Sequence, residues 1–410
     1  MNANGVTIFH ERQTLPLIVY VEHNAQKGGS VFSLRDLVVG FRNEVHPLVC
    51  QFSDAEFAGM FEKMGIDVLT VPFKVFSYKR PNIPFLGSRL NTELMLGRRW
   101  LLYTLPLVVA FYVIFRQHRP ALVHLNDHVD YHRAEIVASA LAGVPCVCHM
   151  REIRDRLHPW ELWASQFVLR FIAVSKVVAE AAGRAGLPRD RIRTVWNGID
   201  FPSTRLCLDK NTLRKHLRLD SESLYVISHG RLVNWKGIDR LIAIWPAVIS
   251  GYPNACLLIV GDGPEKRSLQ ELVVRNGLSN SVRFVGFVEN IWDYLLASDV
   301  YIHCVTQPEP FGRSIVEAMG ANLPVVAPNW GSTAELSDSG RLALLYEPLD
   351  YEDLKARLLK LLGDAVLREK LGKEAGLHAR QQFTLDRYLN GVREVYAEIL
   401  PDICRRSPLT

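Results

Sequence analysis

Two glutamates with chemical potential stand eight residues apart, at Glu309 and Glu317. The apolar run 300–305 predicts a strand before them, and apolar residues at helical spacing follow. Pro310 disfavours the α conformation for Glu309, so this side chain should lie in an extended loop ahead of the helix. Gly312 lets a ligand approach the backbone, and the first turn of the helix offers unpaired N–H groups to an anion. The segment therefore presents groups for sugar hydroxyls and for phosphate, both of which a nucleotide sugar carries.

A pair of cations accompanies the glutamates. Arg231 and Lys236 follow the predicted strand 224–228 and flank a turn that opens a helix. A guanidinium, an ammonium and a helix N-terminus can jointly neutralise a diphosphate. The alternative is two surface cations on a loop, just as the two glutamates alone would suit an ordinary βαβ unit with solvated carboxylates. Their combination favours a nucleotide-sugar site.

Two further strand ends in this half of the chain supply groups for the nucleotide. Gly261 closes the predicted strand 255–260 in a tight turn, with Pro264 at the first helical position. Phe287 follows the predicted strand 282–285, where backbone groups could hold a base. Both are therefore candidate donor-binding residues.

The first half of the chain offers a glycine pair and two strand-end histidines. Gly28 and Gly29 lie between the predicted strand 15–21 and a helix over 31–41. The loop lacks G-x-G-x-x-G, so it predicts no dinucleotide fingerprint, and a flexible turn is as good an interpretation as a phosphate or sugar contact. His128 and His149 stand at the ends of the predicted strands 121–125 and 145–152, where open α/β sheets bind ligands.

These side chains need two sheets to position them. Strands alternate with helical patterns throughout, which predicts an α/β fold with two doubly wound, Rossmann-like domains facing across a cleft. We predict an acceptor-binding domain over 1–200, a linker over 201–222 and a nucleotide-sugar-binding domain over 223–385. Residues 386–410 are predicted to form a C-terminal helix that crosses back to the first domain.

Composition excludes several other classes of protein. The 410 residues carry a net charge of only +5, which does not indicate nucleic-acid binding. The N-terminus shows no export signal, and the seven cysteines show no metal-ligand spacing, so we expect reduced thiols and a cytoplasmic location. The apolar run 100–115 has 16 residues, fewer than the roughly 20 that a spanning helix needs.

The pieces together resemble the family 4 retaining glycosyltransferases of the GT-B fold, and the resemblance is strongest over residues 223–340. It implies that Glu309 bonds donor-sugar hydroxyls, that Glu317 holds the ribose, and that Arg231 and Lys236 bind the diphosphate. Gly28 and Gly29 would assist in binding the diphosphate. The motifs that carry it are Glu309 to Glu317 with the intervening Phe311, Gly312 and Arg313, Gly230-Arg231 with Lys236-Gly237, Gly261-Asp262-Gly263, Gly331-Ser332-Thr333-Ala334-Glu335, and Asn197-Gly198-Ile199-Asp200.

The resemblance implies an enzyme that moves a hexose-type sugar from a nucleotide diphosphate to a glycan or lipid-linked acceptor, in cell-surface polysaccharide biosynthesis. The leaving diphosphate would accept the acceptor's proton. No cofactor and no metal are expected, because two cations replace Mg²⁺ and no Asp-x-Asp pattern occurs. The alternatives are a sugar-nucleotide epimerase, a glycosyl phosphorylase of similar build, and a non-catalytic nucleotide-sugar-binding protein.

One departure concerns the fourth strand. Many relatives carry His-x-His there, whereas this chain has Asn126 at the place of the second histidine. Three alternatives therefore remain: His128 assists the transfer, His149 assists it, or neither histidine does.

A basic, aromatic segment over 71–119 predicts reversible binding to an anionic membrane surface, which would place the protein at the inner face of the membrane. Its net charge is +7, with Glu93 as the only acid. A core helix beside a solvated basic loop is the alternative. The cations are Lys74, Lys79, Arg80, Arg89, Arg98, Arg99, Arg116 and Arg119.

Overall fold

The computed structural model describes residues 15–23, 28–53, 55, 57, 59–73 and 103–401. They divide into two compact units. The first contains the described chain up to Val174, Val178–Val195 and the residues from Leu389 onward, and the second contains Ser175–Val177 and Trp196–Tyr388.

The first unit is built on a seven-stranded parallel sheet with the strand order β3-β2-β1-β4-β5-β6-β7. Its strands are mostly continuous apolar runs, as expected for a parallel sheet whose two faces are both covered by helices. The strands are β1 (Leu17–Glu22), β2 (His46–Phe52), β3 (Asp67–Val71), β4 (Leu122–Leu125), β5 (Cys146–Met150), β6 (Arg170–Ala173) and β7 (Ile192–Thr194). The described helices of this part of the chain are α1 (Gly29–Phe41), α2 (Leu105–His118), α3 (Arg133–Ala142), α4 (Pro159–Ser165) and α5 (Lys176–Arg184).

The second unit repeats the plan with a six-stranded parallel sheet of order β10-β9-β8-β11-β12-β13. Its core surrounds the fully buried Trp245. The strands are β8 (Leu224–His229), β9 (Ala255–Val260), β10 (Val282–Gly286), β11 (Val300–Ile302), β12 (Val325–Pro328) and β13 (Leu344–Tyr346). The helices from residue 203 onward are α6 (Ser203–Leu206), α7 (Lys210–His216), α8 (Ile238–Gly251), α9 (Lys266–Arg275), α10 (Trp292–Ala297), α11 (Arg313–Gly320), α12 (Thr333–Leu336), α13 (Tyr351–Gly363), α14 (Ala365–Gln382) and α15 (Leu385–Ala397).

The two sheets confirm the predicted fold class of two Rossmann-like α/β domains. In each sheet the chain runs outward from one central strand and then returns to its other side, so that β1 adjoins β4 and β8 adjoins β11. Such a switch point leaves a crevice beyond the carboxyl ends of the two central strands, where open α/β sheets bind their ligands.

Residues 201–222, for which the sequence predicted a linker, form α6 and α7 and belong to the second unit. Arg214 explains this placement, because its buried guanidinium donates to the Ala297 carbonyl at 3.0 Å and to the Asp299 carboxylate at 2.7 Å. Arg205 and Lys210 of the same segment also pair with carboxylates of the second unit, Asp293 and Asp299.

The helix α15 begins in the second unit, and its residues from Leu389 onward complete the first. Arg393 pairs with Glu44 at 2.7 Å, and the Tyr396 hydroxyl lies 2.7 Å from Nδ1 of His124 on β4. Leu389 packs against Gly40, where an added Cβ would lie 2.5 Å from the leucine side chain. The first unit is thus discontinuous in sequence.

Within the described residues, no helix is long and apolar enough to span a bilayer.

Candidate functional site

The predicted donor-binding residues of the second unit gather at its switch point. The loop after β8 carries Arg231 and Lys236, and the loop after β11 carries Glu309. Because β8 and β11 are hydrogen-bonded neighbours, the two loops leave the same edge of the sheet. A small cavity at this edge is lined by Ser228, His229, Gly230, Arg231, Leu232, Lys236, Ile238, His303 and Cys304.

Glu309 is the buried anion at the centre of this site, with 7% of its surface exposed. One carboxylate oxygen accepts a hydrogen bond from Nζ of Lys236, and the other lies 3.2 Å from Nε2 of His303. Burial alone would raise the pKa of this carboxyl, but the charge of Lys236 and the contact with His303 outweigh it and hold the pKa well below its usual range. Glu309 is therefore an ionised acceptor at any working pH.

The backbone of Glu309 is fixed by the turn that precedes α12. The Ser332 N–H donates to the Glu309 carbonyl at 3.1 Å. Gly331 has a φ of +58°, and a Cβ there would lie 2.6 Å from the same carbonyl oxygen. Only glycine allows the two loops to approach this closely, so the Gly331-Ser332 motif positions Glu309.

The two predicted cations differ in their surroundings. Lys236 is held by Glu309 and lies 4.5 Å from the centre of the Trp235 ring. Arg231 is exposed, and its guanidinium makes no hydrogen bond or ion pair with any residue in the described part of the chain. An incoming diphosphate can therefore engage Arg231 directly, whereas it must share Lys236 with Glu309.

Gly261 and Phe287 lie at the carboxyl ends of β9 and β10. A Cβ on Gly261 would lie 1.9 Å from the Gly230 carbonyl oxygen, so this residue lets the loops after β8 and β9 touch. Phe287 is 65% exposed, which is unusual for a phenylalanine and leaves its ring face available to a planar base.

Glu317 lies in α11, within reach of the same edge. Its Oε1 accepts a hydrogen bond from Nε of Arg313 at 2.9 Å, and its Oε2 lies 3.5 Å from Nε2 of His229. Burial lowers the pKa of His229 more than Glu317 raises it, so this ring is neutral at pH 7. The carboxylate thus faces the end of β8, from which the loop with Arg231 continues.

The N-terminus of α11 follows Gly312, whose φ is +70°. Phe311 is buried and packs edge-to-face on Phe383 with ring centres 6.0 Å apart. Its side chain therefore anchors the loop in the core, and only its backbone remains for ligand binding.

The glycine pair of the first unit lies at the start of α1. Gly28 is the N-cap residue, and Gly29 begins the helix with no atom of the described residues within 4 Å of an added Cβ. Packing against the described residues therefore does not require glycine at position 29.

Asn126 occupies a buried polar network at the end of β4. Its amide nitrogen donates to Glu22, and its oxygen accepts from Nε and an NH2 nitrogen of Arg151 at 2.9 and 2.7 Å. This bridge links two charged side chains, which accounts for an amide where the resemblance leads one to expect a histidine.

His149 is part of the same network, not of an open edge. The ring is fully buried on β5, with Nδ1 3.3 Å from Nε2 of His124 and 3.4 Å from Arg151. Burial, followed by the charge of Arg151, lowers its pKa well below the usual range and keeps it neutral. The described geometry gives His149 a place in the core.

His128 has a different setting at the switch point of the first sheet. Its Nδ1 lies 3.1 Å from Asp130, and its buried Nε2 has no hydrogen-bond partner among the described residues. This buried ring nitrogen keeps His128 a candidate contact for a substrate hydroxyl.

Sequence reasoning missed two residues of this site. His303 follows β11 and touches Glu309 six residues later, and Trp235 stacks beneath Lys236. The signal available for His303 was a histidine directly after the apolar run 300–302. No sequence signal pointed to Trp235 except its position next to Lys236.

Two family models match the chain. The one described as "Glycosyl transferases group 1" matches residues 209–378, and "Glycosyltransferase Family 4" matches residues 55–201. Together they include the loops that carry Arg231, Lys236 and Glu309, and those that carry His128 and His149.

Curated relatives include two proteins of Rhizobium meliloti. The lipopolysaccharide core biosynthesis glycosyltransferase LpsD is 32% identical over 42% of this chain and 48% of its own length. The lipopolysaccharide core biosynthesis mannosyltransferase LpsB is 29% identical over 43% of this chain and 51% of its own length. The chain thus spans about half the length of these relatives.

Among solved structures, Anabaena HepE in complex with UDP superposes with a TM-score of 0.75 and 26% identity, covering 94% of this chain and 100% of that chain. The same protein has also been solved with UDP-glucose.

Proposed function

Because the chain belongs to the group 1 and family 4 glycosyltransferases, we propose that it transfers a hexose-type sugar from a nucleoside diphosphate to an acceptor with retention of configuration. The acceptor is a glycan or a lipid-linked saccharide of a cell-surface polysaccharide. The names of the relatives that act in lipopolysaccharide core biosynthesis support this class of acceptor.

One observation carries the proposal: Glu309 lies buried between Lys236 and His303, with the exposed Arg231 on the adjoining loop. A buried, ionised carboxylate that already holds one cation, with a second cation on the adjoining loop that is unpaired among the described residues, suits a ligand that presents hydroxyl donors next to a diphosphate. The neighbour that is solved with UDP and with UDP-glucose supports a nucleotide sugar as that ligand.

The residues then divide the work of the transfer. Glu309 accepts hydrogen bonds from sugar hydroxyls and fixes the orientation of the ring. As the bond between the anomeric carbon and the diphosphate oxygen breaks, Arg231 and Lys236 stabilise the charge that develops on the diphosphate, a kind of contact worth roughly 3 kcal/mol. The acceptor oxygen bonds to the anomeric carbon from the same face, and its proton passes to the departing diphosphate.

Glu317 and Phe287 belong to the nucleoside end of the donor in this proposal. The Glu317 carboxylate, held by Arg313, accepts from the ribose hydroxyls, and the exposed ring of Phe287 lies at the strand end that receives the base. At the first sheet, Gly28 and Gly29 are assigned to the departing diphosphate. His128 is assigned to the acceptor.

The proposal is tested by incubating the purified chain with a panel of nucleotide sugars and following release of the free nucleoside diphosphate. We expect slow hydrolysis of one donor without acceptor, faster release when saccharide acceptors are added, and an α-linked product from an α-linked donor by NMR. Inversion of the anomeric centre would contradict retention.

The same assay distinguishes the three alternative functions. An epimerase would convert the donor sugar without an acceptor, and a phosphorylase would require inorganic phosphate. Tight nucleotide-sugar binding without turnover of any donor in the panel would favour a non-catalytic binding protein.

A further inference from the structure

A second cluster of chemically capable side chains lies in the first unit. His23 directly follows β1, and His132 and Glu135 lie one turn apart at the start of α3. The His23 Nε2 atom is 2.7 Å from Oε1 of Glu135, and the His132 Nδ1 atom is 4.0 Å from Oε2 of the same carboxylate. One ligand atom from each residue lies within 4.8 Å of the others.

The cluster is buried and incompletely hydrogen-bonded. His132 and Glu135 are fully buried, and His23 is 8% exposed. Both ring nitrogens of His132 and the Oε2 atom of Glu135 have no hydrogen-bond partner among the described residues. Leaving such groups unsatisfied costs about 1–3 kcal/mol each, so a native protein rarely keeps three of them together without something to bind.

The donor set identifies the chemical class of that ligand. Two imidazoles and one carboxylate are the protein ligands of His₂Glu zinc sites, and imidazole nitrogen suits divalent ions of the zinc type better than Mg²⁺ or Ca²⁺. Bonds of about 2.1 Å in a tetrahedron place neighbouring ligand atoms about 3.4 Å apart. The observed separations of 2.7 and 4.0 Å lie on either side of that value, so small side-chain shifts suffice.

We propose that His23, His132 and Glu135 form a binding site for one divalent transition-metal ion of the zinc class. The site joins the end of β1 to the start of α3. It is a positioning site of the first unit, separate from the cations Arg231 and Lys236 that bind the diphosphate.

The competing account is a metal-free cluster in which a charged His23 pairs with Glu135. It satisfies one contact but leaves His132 with two unpartnered nitrogens. A metal ion would bind one nitrogen of His132 and one oxygen of Glu135 as well as His23, and the two accounts predict different metal contents.

The test uses the full chain without a polyhistidine tag, which would bind metal by itself. After dialysis against a weak chelator, the zinc content is measured by mass spectrometry, and the same protein is then reconstituted with Zn²⁺ or Co²⁺ and desalted. We expect about one ion per chain, Co²⁺ absorption bands typical of a tetrahedral nitrogen and oxygen site, and a rise in melting temperature on adding Zn²⁺.

The variants His132→Ala and Glu135→Gln should lose the ion and the Co²⁺ bands. The matched control is His46→Asn, because His46 also contacts a carboxylate of the first unit, Asp67, at 2.8 Å. This control should keep one ion per chain.

Substoichiometric metal in the wild-type chain after reconstitution, together with an unchanged melting temperature, would overturn the proposal even if the variants fail to fold. Retention of the ion by folded His132→Ala and Glu135→Gln would overturn the assignment of the ligands. Neither readout depends on glycosyl transfer, so the two proposals stand or fall separately.

Discussion

At the scale of single residues, the site is organised by one buried negative charge. Glu309 contacts Lys236 and His303 before any ligand arrives, so its orientation is set in advance. Such preorganisation is what makes electrostatic stabilisation of a transition state effective, because the groups need not reorganise during the reaction.

Glu309→Gln preserves the shape of the side chain and removes the charge that we propose orders the sugar hydroxyls. We expect kcat to fall about 100-fold or more, on the scale of losing one preorganised contact. Steady-state release of nucleoside diphosphate measures it, with Glu271→Gln on α9 as the control. Near-normal turnover of Glu309→Gln would remove Glu309 from the site.

The same variant predicts a pH dependence of stability. The pKa of Glu309 lies well below the unfolded value of 4.5, so its ionised form stabilises the fold above about pH 4.5 and that contribution is lost as the pH falls towards the folded pKa. Wild type should therefore exceed Glu309→Gln in free energy of unfolding at pH 7, and the difference should shrink below about pH 4.5. Urea denaturation at several pH values measures this difference in free energy of unfolding. A difference that does not change with pH would contradict the contacts described.

Arg231→Ala and Lys236→Ala should each weaken binding of a nucleoside diphosphate by about 10- to 150-fold, since a charge-assisted hydrogen bond contributes about 1.5–3 kcal/mol. Their stabilities should differ. Arg231 is exposed and unpartnered among the described residues, whereas loss of Lys236 leaves the buried Glu309 short of its main counter-charge.

Titration calorimetry and thermal melts measure the two effects, with Lys373→Ala on α14 as the surface control. Unchanged affinity in both variants would refute the assignment of the diphosphate site. A melting temperature lowered by Arg231→Ala and not by Lys236→Ala would contradict the pairing.

Much of the residue-level site was predictable because it depends on loops that follow strands in sequence. Glu309, Arg231 and Lys236 each come directly after or shortly after an apolar run, which fixes them at one sheet edge. The contact of His303 with Glu309 depends on how the loop folds back, and the bridge from Asn126 to Glu22 joins residues 104 positions apart. No local pattern encodes such contacts.

At the scale of elements, α2 carries apolar side chains on its exposed face as well as on its buried face. It buries Leu107, Val108, Phe111 and Phe115, which agrees with a core helix. Its opposite face exposes Leu105, Val109, Tyr112 and Val113. The basic residues from Lys74 to Arg99 lie outside the described residues, so membrane binding by this region stays a proposal.

That proposal predicts co-sedimentation with anionic vesicles at low salt and release at high salt, because each cation contributes about 1 kcal/mol near such a surface. Neutralising Lys79, Arg80, Arg98 and Arg99 together should abolish binding, and Val109→Ser with Val113→Ser should weaken it. The control is Leu377→Ser, which removes an exposed apolar side chain from α14.

The idea fails if wild type does not sediment with anionic vesicles at low salt. It fails equally if the fourfold neutral variant binds as well as wild type.

The prediction of elements from sequence was accurate where strands are long and apolar. The strand 255–260 is β9 to the residue, since an unbroken apolar run bounded by turn residues leaves little choice. Two short strands were harder: β13 was missed because it has three residues, and β11 ends at Ile302 although the apolar run continues to residue 305. Sheet pairing, not composition, decides where such strands begin and end.

At the scale of the whole molecule, the proposed roles of Arg231 and Lys236 predict that transfer needs no diffusible metal on the diphosphate. We expect glycosyl transfer to persist in excess chelator without added Mg²⁺ or Mn²⁺. Rates measured over a range of chelator concentrations test this, with a metal-dependent glycosyltransferase as the control for chelation. An absolute requirement for either added ion would contradict the roles of Arg231 and Lys236.

The discontinuity of the first unit has a consequence for the order in which the protein is made. Its seven strands have all been synthesised once Thr194 is added, yet the partners of Gly40, Glu44 and His124 on α15 follow about 200 residues later. During translation the second unit can therefore complete its own contacts first, while the earlier-made sheet lacks one of its covering elements. A nascent chain halted after Thr194 should be more sensitive to protease than the same strands in the finished protein, and synthesis of α15 sets the moment at which the first sheet gains this protection.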